Sequence, residues 1–356
     1  MTTPDAVDFL VDRRDLRRTR VVPGGHTPAT PLEPGQVLVR VGRFAMTANN
    51  ITYGAIGDLI GYWQFFPAPE GWGRIPVWGF AEVVRSRHDA VPVGERLYGY
   101  FPMSTYLVLA ADRVAPGSLV DASAHRAALP PIYNQYVRVA ADPGYDPGLE
   151  GQIAIFRPLF ATAFLLDQFL ARESFFGARN VILLSASSKT ALGLAFLLRR
   201  DRREQCRVIG LTSAANAAFV RATGYYDDVY SYGETGSLAA DVPSVIVDFA
   251  GNAQVLGAVH RHLGASLRYS CRVGVTHWER MGGDEGLPGP APVLFFAPDH
   301  MREGFPSRIG AAMQAFLASA SWLRLVDGRG ADDLARVYHS LLDGKVNPAE
   351  GYVLSL

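Results

Sequence analysis

The residues best suited to chemistry in this 356-residue chain stand in one short turn, Ser185-Ala186-Ser187-Ser188-Lys189-Thr190. An aliphatic run, Val181–Leu184, precedes it, and an apolar helical pattern reaching Leu198 follows. Strand, small-residue turn and helix, in that order, make the first βα unit of a dinucleotide-binding sheet, where helix N-terminal amides meet a pyrophosphate. The three positions where that fingerprint places glycine hold Ser185, Ser188 and Ala191. Serine and alanine are the next smallest choices, so a modified loop is sterically feasible. Ser187, Ser188 and Thr190 add hydroxyl donors, and Lys189 adds an ammonium. Lys189 is one of only two lysines, with Lys345, while arginine supplies the other 32 basic residues. The turn reads either as a rebuilt cofactor loop or as a degenerate one on a repurposed fold.

The next strand, Arg207–Leu211, runs into Thr212 and Ser213 with no acidic residue to hold a ribose 2′-hydroxyl. Thr212, Ser213 and Asn216 leave room for a 2′-phosphate instead, which points to NADP over NAD. A second polar group, Tyr133, Asn134, Gln135, Tyr136 and Arg138, follows an Ala-Leu-Pro-Pro run. It reads either as substrate recognition, with Arg138 as a carboxylate or phosphate anchor, or as surface packing. A third candidate is the aromatic stretch 47–79, which carries Tyr53, Tyr62, Trp63, Phe65, Phe66, Trp72 and Trp78. That stretch is either a minor core or the wall of a pocket.

The elements that must position these groups change character along the chain. Residues 1–120 carry short β-rich runs, Val37–Val41, Phe80–Val84 and Tyr106–Ala110, punctuated by Pro and Gly, as in a small barrel or sandwich. An apolar helix is expected over Phe160–Leu170. From Asn180 onward strands and helices alternate: Val181–Leu184, Thr190–Arg199, Arg207–Leu211, Ala215–Ala222, Asp228–Ser231, Ser244–Phe249, Ala253–Leu263 and Ser266–Val275. Strands rich in Val, Ile and Leu without alternation suit a parallel sheet covered on both faces. A Gly-rich linker over His277–Gly289, a strand over Pro292–Ala297, helices over Phe305–Leu317 and Asp332–Leu342 and a short terminal strand follow.

Formal net charge is zero, which gives no global field to draw in nucleic acid or an anionic membrane. Two cysteines make neither a disulfide framework nor a four-cysteine zinc site. The N-terminal residues show no signal-peptide pattern, and no continuous run of about 18–20 apolar residues is evident. A cytoplasmic protein is expected. The histidines show no metal-ligand spacing; His26, His88, His125, His260 and His262 read as surface residues.

Several segments are collinear with one known family. VLVRVGRFAMTANNI resembles its early strand and GVNPSD-like turn; IPVWGFAEVV, VPVGERLYGY and TYLVLAADRVAPG resemble its barrel segments. PLFATAF resembles its P-x-x-G-x-T-A-Y helix start, and GKVNPAEGYVLSL its usual ending. The chain thus resembles the medium-chain dehydrogenase/reductase superfamily, and most of all a bacterial domain-of-unknown-function subgroup with the SASSKTA turn. The resemblance implies an α/β fold: a GroES-like β-barrel catalytic domain over 1–140, completed by 320–356, and a Rossmann doubly wound parallel sheet over 141–319. It also implies a homodimer, joined through the tail strand and Leu267–Val275.

The zinc branch of that superfamily would place cysteine near Ala45–Thr47 and a His-Glu pair near Phe80–Ala81, and this chain has neither. The resemblance is therefore to zinc-free quinone oxidoreductases and enoyl reductases. It implies an NADPH-dependent reductase of an α,β-unsaturated carbonyl or quinone, acting in the cleft between the domains on a small-molecule substrate and needing no metal. Thr47 and Asn50 then approach the nicotinamide, Thr162 matches the threonine of the helix start, and Tyr62 lies nearest the catalytic tyrosine, with Tyr53 as the other candidate. Trp63, Tyr133, Asn134, Tyr136 and Arg138 are the candidate substrate contacts. The alternatives are a lyase or retro-aldol enzyme using the Lys189 amine, or a binding protein without a cofactor.

Overall fold

The computed structural model describes residues 6–274, 286–301 and 305–356. Contacts divide the chain into two compact units: Met1–Ile155 with Arg324–Val346 and Glu350–Leu356, and Phe156–Leu323 with Asn347–Ala349.

The first unit is built on a closed ring of six strands: β3 (Gln36–Met46), β5 (Pro76–Ser86), β6 (Arg96–Pro102), β9 (Gln135–Arg138), β8 (Ser118–Asp121) and β7 (Tyr106–Asp112). The β3–β7 pairing, Gln36↔Ala110 through Arg40↔Tyr106, closes the GroES-like barrel. Register shifts in β3 at Leu38/Val39 and Val41/Phe44 supply the bending that closure demands. β7 shows the inside–outside alternation of a barrel wall, with Leu107 and Leu109 buried and Tyr106 and Val108 half-buried. Two later strands, β16 (Arg324–Arg329) and β17 (Glu350–Ser355), extend the sheet from β3, and helix α8 (Gly330–Leu342) connects them. A separate three-stranded sheet combines β1 (Val7–Asp12), β2 (Thr19–Pro23) and β4 (Trp72–Gly73).

The second unit is a six-stranded sheet, every pair of it parallel, in the order β12-β11-β10-β13-β14-β15. These are Asp228–Ser231, Arg207–Thr212, Asn180–Leu184, Ser244–Asp248, Leu267–Arg272 and Val293–Leu294. Counted from β10 the order is 3-2-1-4-5-6, the Rossmann arrangement. All residues of the two central strands, NVILL and SVIVD, are buried, as two covered faces require. Helices α4 (Lys189–Asp201), α5 (Ala214–Ala222) and α6 (Ala253–Leu263) make the crossovers.

Several expectations shift. Helix α3 spans Glu150–Arg172, ten residues earlier than the pattern from Phe160. Asp146 accepts from the Gly148 amide in the turn just before it, and Pro158 is carried inside it. With that turn the helical stretch Pro147–Arg172 is long and apolar enough to cross a bilayer, at a mean hydropathy of 1.5, although 67% of the apolar window is buried inside the protein. A core helix passes the same test. The expected strand Pro292–Ala297 reduces to Val293–Leu294, paired with Cys271 and Arg272, and the Phe295 amide donates to the Arg272 carbonyl (2.8 Å). The aromatic stretch contains helix α1 (Ala48–Ala55) and the short α2 (Gly57–Ile60). His260 is fully buried, not on the surface: Nδ1 lies 3.0 Å from the Pro288 carbonyl and Nε2 2.9 Å from Ser270 Oγ. Most of the linker placed at His277–Gly289, and Val275, lie outside the described residues.

Candidate active site

In the barrel unit the early turn is organised by Asn50. Its Oδ1 accepts from the Thr47 amide (2.8 Å), and its Nδ2 donates to the Pro76 carbonyl (2.8 Å). This capping box starts α1 and ties it to β5. Asn50 thus positions α1, which carries Tyr53 inward. Trp63 is buried tightly enough that a Cβ on Gly57 or Gly73 would lie 2.3 or 2.2 Å from its ring. It therefore fixes the turn that holds Tyr62.

Tyr53, Tyr62, Tyr100 and Tyr133 are all buried and lie against one another. Ring centroids are 4.6 Å apart for Tyr53–Tyr62, 4.8 Å for Tyr100–Tyr133 and 5.8 Å for Tyr62–Tyr133. The Tyr62 and Tyr133 hydroxyls are 3.2 Å apart, and Trp78 Nε1 donates to Tyr53 Oη at 3.2 Å. The Tyr100 hydroxyl is buried without a hydrogen-bond partner. Burial pushes all four phenols above the usual tyrosine range, and the neighbouring phenols add to the effect. At neutral pH each is an intact O–H, able to donate a hydrogen bond or a proton to a developing oxyanion or carbanion.

Of the other proposed substrate contacts, Tyr136 is fully buried. Its hydroxyl donates to the Tyr100 carbonyl (2.7 Å) and accepts from Arg126 Nη1 (3.0 Å). Burial pushes it up to about 12, against the pull of the Arg126 charge. The Arg138 guanidinium pairs with Glu95 and donates to the carbonyls of Ala115 and Ala90. Asn134 donates to the Arg126 carbonyl at 3.2 Å.

In the second unit, Ser185 leaves β10 with φ of 58°, the left-handed conformation that favours glycine and costs another residue about 1–2 kcal/mol. Its carbonyl accepts from the Ser188 amide (2.8 Å), and its hydroxyl lies 3.2 Å from Tyr232 Oη. Ser188 is the N-cap of α4, accepting from the Ala191 amide at 3.3 Å. Ser187 Oγ accepts from Thr212 Oγ1 (3.3 Å) and Asn216 Nδ2 (3.1 Å), which joins the turn to the end of β11. Ser213 is the N-cap of α5. Lys189 Nζ donates to the Pro348 carbonyl at 3.3 Å, and Thr162 Oγ1 to the carbonyl of Pro158 one helical turn back at 3.2 Å.

This turn fits a dinucleotide. Ser185 adopts the backbone a glycine would, the following side chains are small, and hydroxyls cluster where the sheet's first two strands end. Among the described residues, no three His, Cys, Asp or Glu side chains stand close enough together to hold a metal ion.

The family model described as "Protein of unknown function (DUF2855)" matches residues 44–347. The chain belongs to that family. No curated protein matches the sequence. Among solved structures, this DUF2855 chain is similar to CurA from Vibrio vulnificus in complex with NADPH, with a TM-score of 0.64 and 13% identity over 98% of both chains. It is similar also to the CurF ER cyclopropanase of the curacin A biosynthetic pathway (0.63, 14%, 99% of both). A mutant form of an enoyl thioester reductase from Candida tropicalis gives 0.57 and 10% over 99% of both. These likenesses establish the fold of the DUF2855 chain, a GroES-like barrel unit and a Rossmann unit. The sequence reading missed Tyr100, Asp121 and Arg126. Tyr100 ends the barrel segment VPVGERLYGY, in the strand Arg96–Pro102, where it reads as core, and Asp121 and Arg126 flank a loop outside any motif.

Proposed function

We propose that this protein is a zinc-independent, NADPH-dependent reductase of an α,β-unsaturated carbonyl or quinone, of the quinone oxidoreductase and enoyl reductase type. The observation that carries the reading is the end-to-end likeness to CurA, a structure solved with NADPH. The residues agree with it: where the zinc branch needs cysteine and a His-Glu pair, this chain has Ala45–Thr47 and Phe80–Ala81.

Ser185, Ser187, Ser188, Lys189 and Thr190 would hold the pyrophosphate, and Thr212, Ser213 and Asn216 the adenosine ribose with its 2′-phosphate. NADPH, when bound, supplies the hydride. Tyr62 provides the proton that completes reduction, and Tyr133, in hydrogen-bond contact with it, stabilises the phenolate left behind. Trp63 keeps Tyr62 in place, Asn50 positions the helix whose Tyr53 packs against it, and burial among aromatic rings excludes water.

The test is a thermal-shift titration with NADPH, NADH and neither, followed by absorbance at 340 nm with 2-cyclohexenone, menadione and crotonyl thioesters. NADPH should raise the melting temperature and be consumed with at least one acceptor. Failure of both nucleotides to bind would refute the reading.

A further inference from the structure

Beside β8 and β9 the barrel unit holds a cavity of about 560 Å³ that neither the phenol cluster nor the serine turn uses. Asp121, Arg126, Leu129, Ile132 and Asn134 are among the residues lining it. The volume is in the range of small-molecule sites.

Its polar wall is built from deeply buried groups. Arg126 and Asp121 pair at 3.1 Å with both side chains 1% exposed. Arg126 also donates Nε to the Phe65 carbonyl (3.2 Å) and Nη1 to Tyr136 Oη (3.0 Å), and the Phe66 ring lies 4.7 Å from its guanidinium carbon. Nη2 is left with no partner. Asp121 Oδ1 is occupied by the amides of Ala110 and Ser123 and by the Ser123 hydroxyl. Asn134 donates Nδ2 to the Arg126 carbonyl at 3.2 Å, and its Oδ1 has no partner. Folded proteins seldom leave a donor and an acceptor buried and unmet, and two such groups on residues hydrogen-bonded to each other call for one explanation.

The chemistry of the pair narrows the ligand. Asp121 already balances the Arg126 charge, so an anion would bring an uncompensated charge to a buried site. A free donor on Arg126 and a free acceptor on Asn134, two lining residues joined by a hydrogen bond, are matched by a carbonyl next to an N–H, and Leu129 and Ile132 add apolar lining. We propose that this cavity binds a small neutral molecule by an amide or lactam edge. Its carbonyl accepts from Arg126 Nη2, and its N–H donates to Asn134 Oδ1. The site is independent of the reductase reading and stands or falls without it.

The probe is 2-pyrrolidone, titrated into the ¹⁵N-labelled full chain, with N-methyl-2-pyrrolidone and propionate as controls. Shifts should concentrate in residues 121–135, including the Asn134 side-chain amide, with saturation below about 50 mM, as suits a fragment of this size. N-methylation, which removes the N–H, should weaken binding about tenfold, and Asn134→Leu should do the same. Ala127→Trp, at an exposed lining position, blocks the cavity without touching the polar pair. It serves as the second variant should Asn134→Leu fail to fold. Absence of binding, equal binding of the N-methyl compound, or tighter binding of propionate each overturns the proposal.

Discussion

Tyr62 and Tyr133 place two intact phenols 3.2 Å apart in a setting that resists ionisation. If Tyr62 delivers the proton in reduction, Tyr62→Phe lowers kcat about 10²–10⁴-fold. KM should change little, because the phenyl ring still packs in the cluster; steady-state rates at 340 nm report both. The same burial makes a claim on stability. Each phenol's folded-state pKa is raised, so its contribution is fully present below the ordinary tyrosine value of 10.0. It is lost above that value, where the unfolded chain releases protons the folded chain keeps. Four such groups acting together cost up to about 5–6 kcal/mol of stability per pH unit above 10. Urea unfolding at pH 9 and pH 11 should show a steep fall, and Tyr100→Phe should soften it. At this scale the sequence was partly legible. Its aromatic density flagged the stretch holding Tyr53 and Tyr62, and the resemblance singled out Tyr62. Tyr100 was hidden because a strand tyrosine reads as ordinary core, and Asn50's tie to β5 depends on Pro76, which is 26 residues away.

Among the elements, the βα units were the most legible, since unbroken aliphatic strands alternating with helices leave few other arrangements. The barrel was harder. Its short strands mix buried and half-buried positions, and closure rests on β3 pairing with both β5 and β7, a non-local fact. The strand β9 was read only as polar residues, because its register with β6 and β8, rather than its own pattern, makes it a strand. Helix α1 escaped because ANNITYGA is built mostly from weak helix formers, two Asn, Thr and Gly among them. One element-scale prediction follows from the crossing of β3 and β5. A Cβ at Gly79 would lie 2.4 Å from the Arg43 carbonyl oxygen and 2.5 Å from the Phe44 Cα, backbone atoms that cannot rotate away. Gly79→Ala should destabilise the barrel by about 1–3 kcal/mol, the range for overpacking. Gly94→Ala should lose less, about 1 kcal/mol: its φ of 87° is unfavourable, yet nothing stands within 4 Å. Chemical denaturation of the two variants measures the difference.

For the molecule as a whole, we propose a different surface for the homodimer that the resemblance implies. β17 lies between β16 and β3, and β14 is covered by β15, so neither the tail strand nor Leu267–Arg272 is a sheet edge. Among the described residues the parallel sheet has edges at β12 and β15, and in β15 Val293 and Leu294 are 49% and 46% exposed. An apolar edge strand is a template for pairing with a second copy. Sedimentation equilibrium should give a dimer for the natural chain, and Val293→Lys with Leu294→Lys should give a monomer. A natural chain that sediments as a monomer rules out this assembly.

The pairing of β17 with β3 also orders events during synthesis. The second unit is almost wholly continuous, from Phe156 to Leu323, so all but three of its residues have been synthesised before Arg324 is added. The first unit is not: Phe44, Ala45 and Met46 wait for Leu354, Val353 and Tyr352, which are made some 300 residues later. Until then that stretch of β3 is an unpaired apolar edge on a nascent chain, the kind of segment that chaperones hold. The unit that begins first is the one that finishes last.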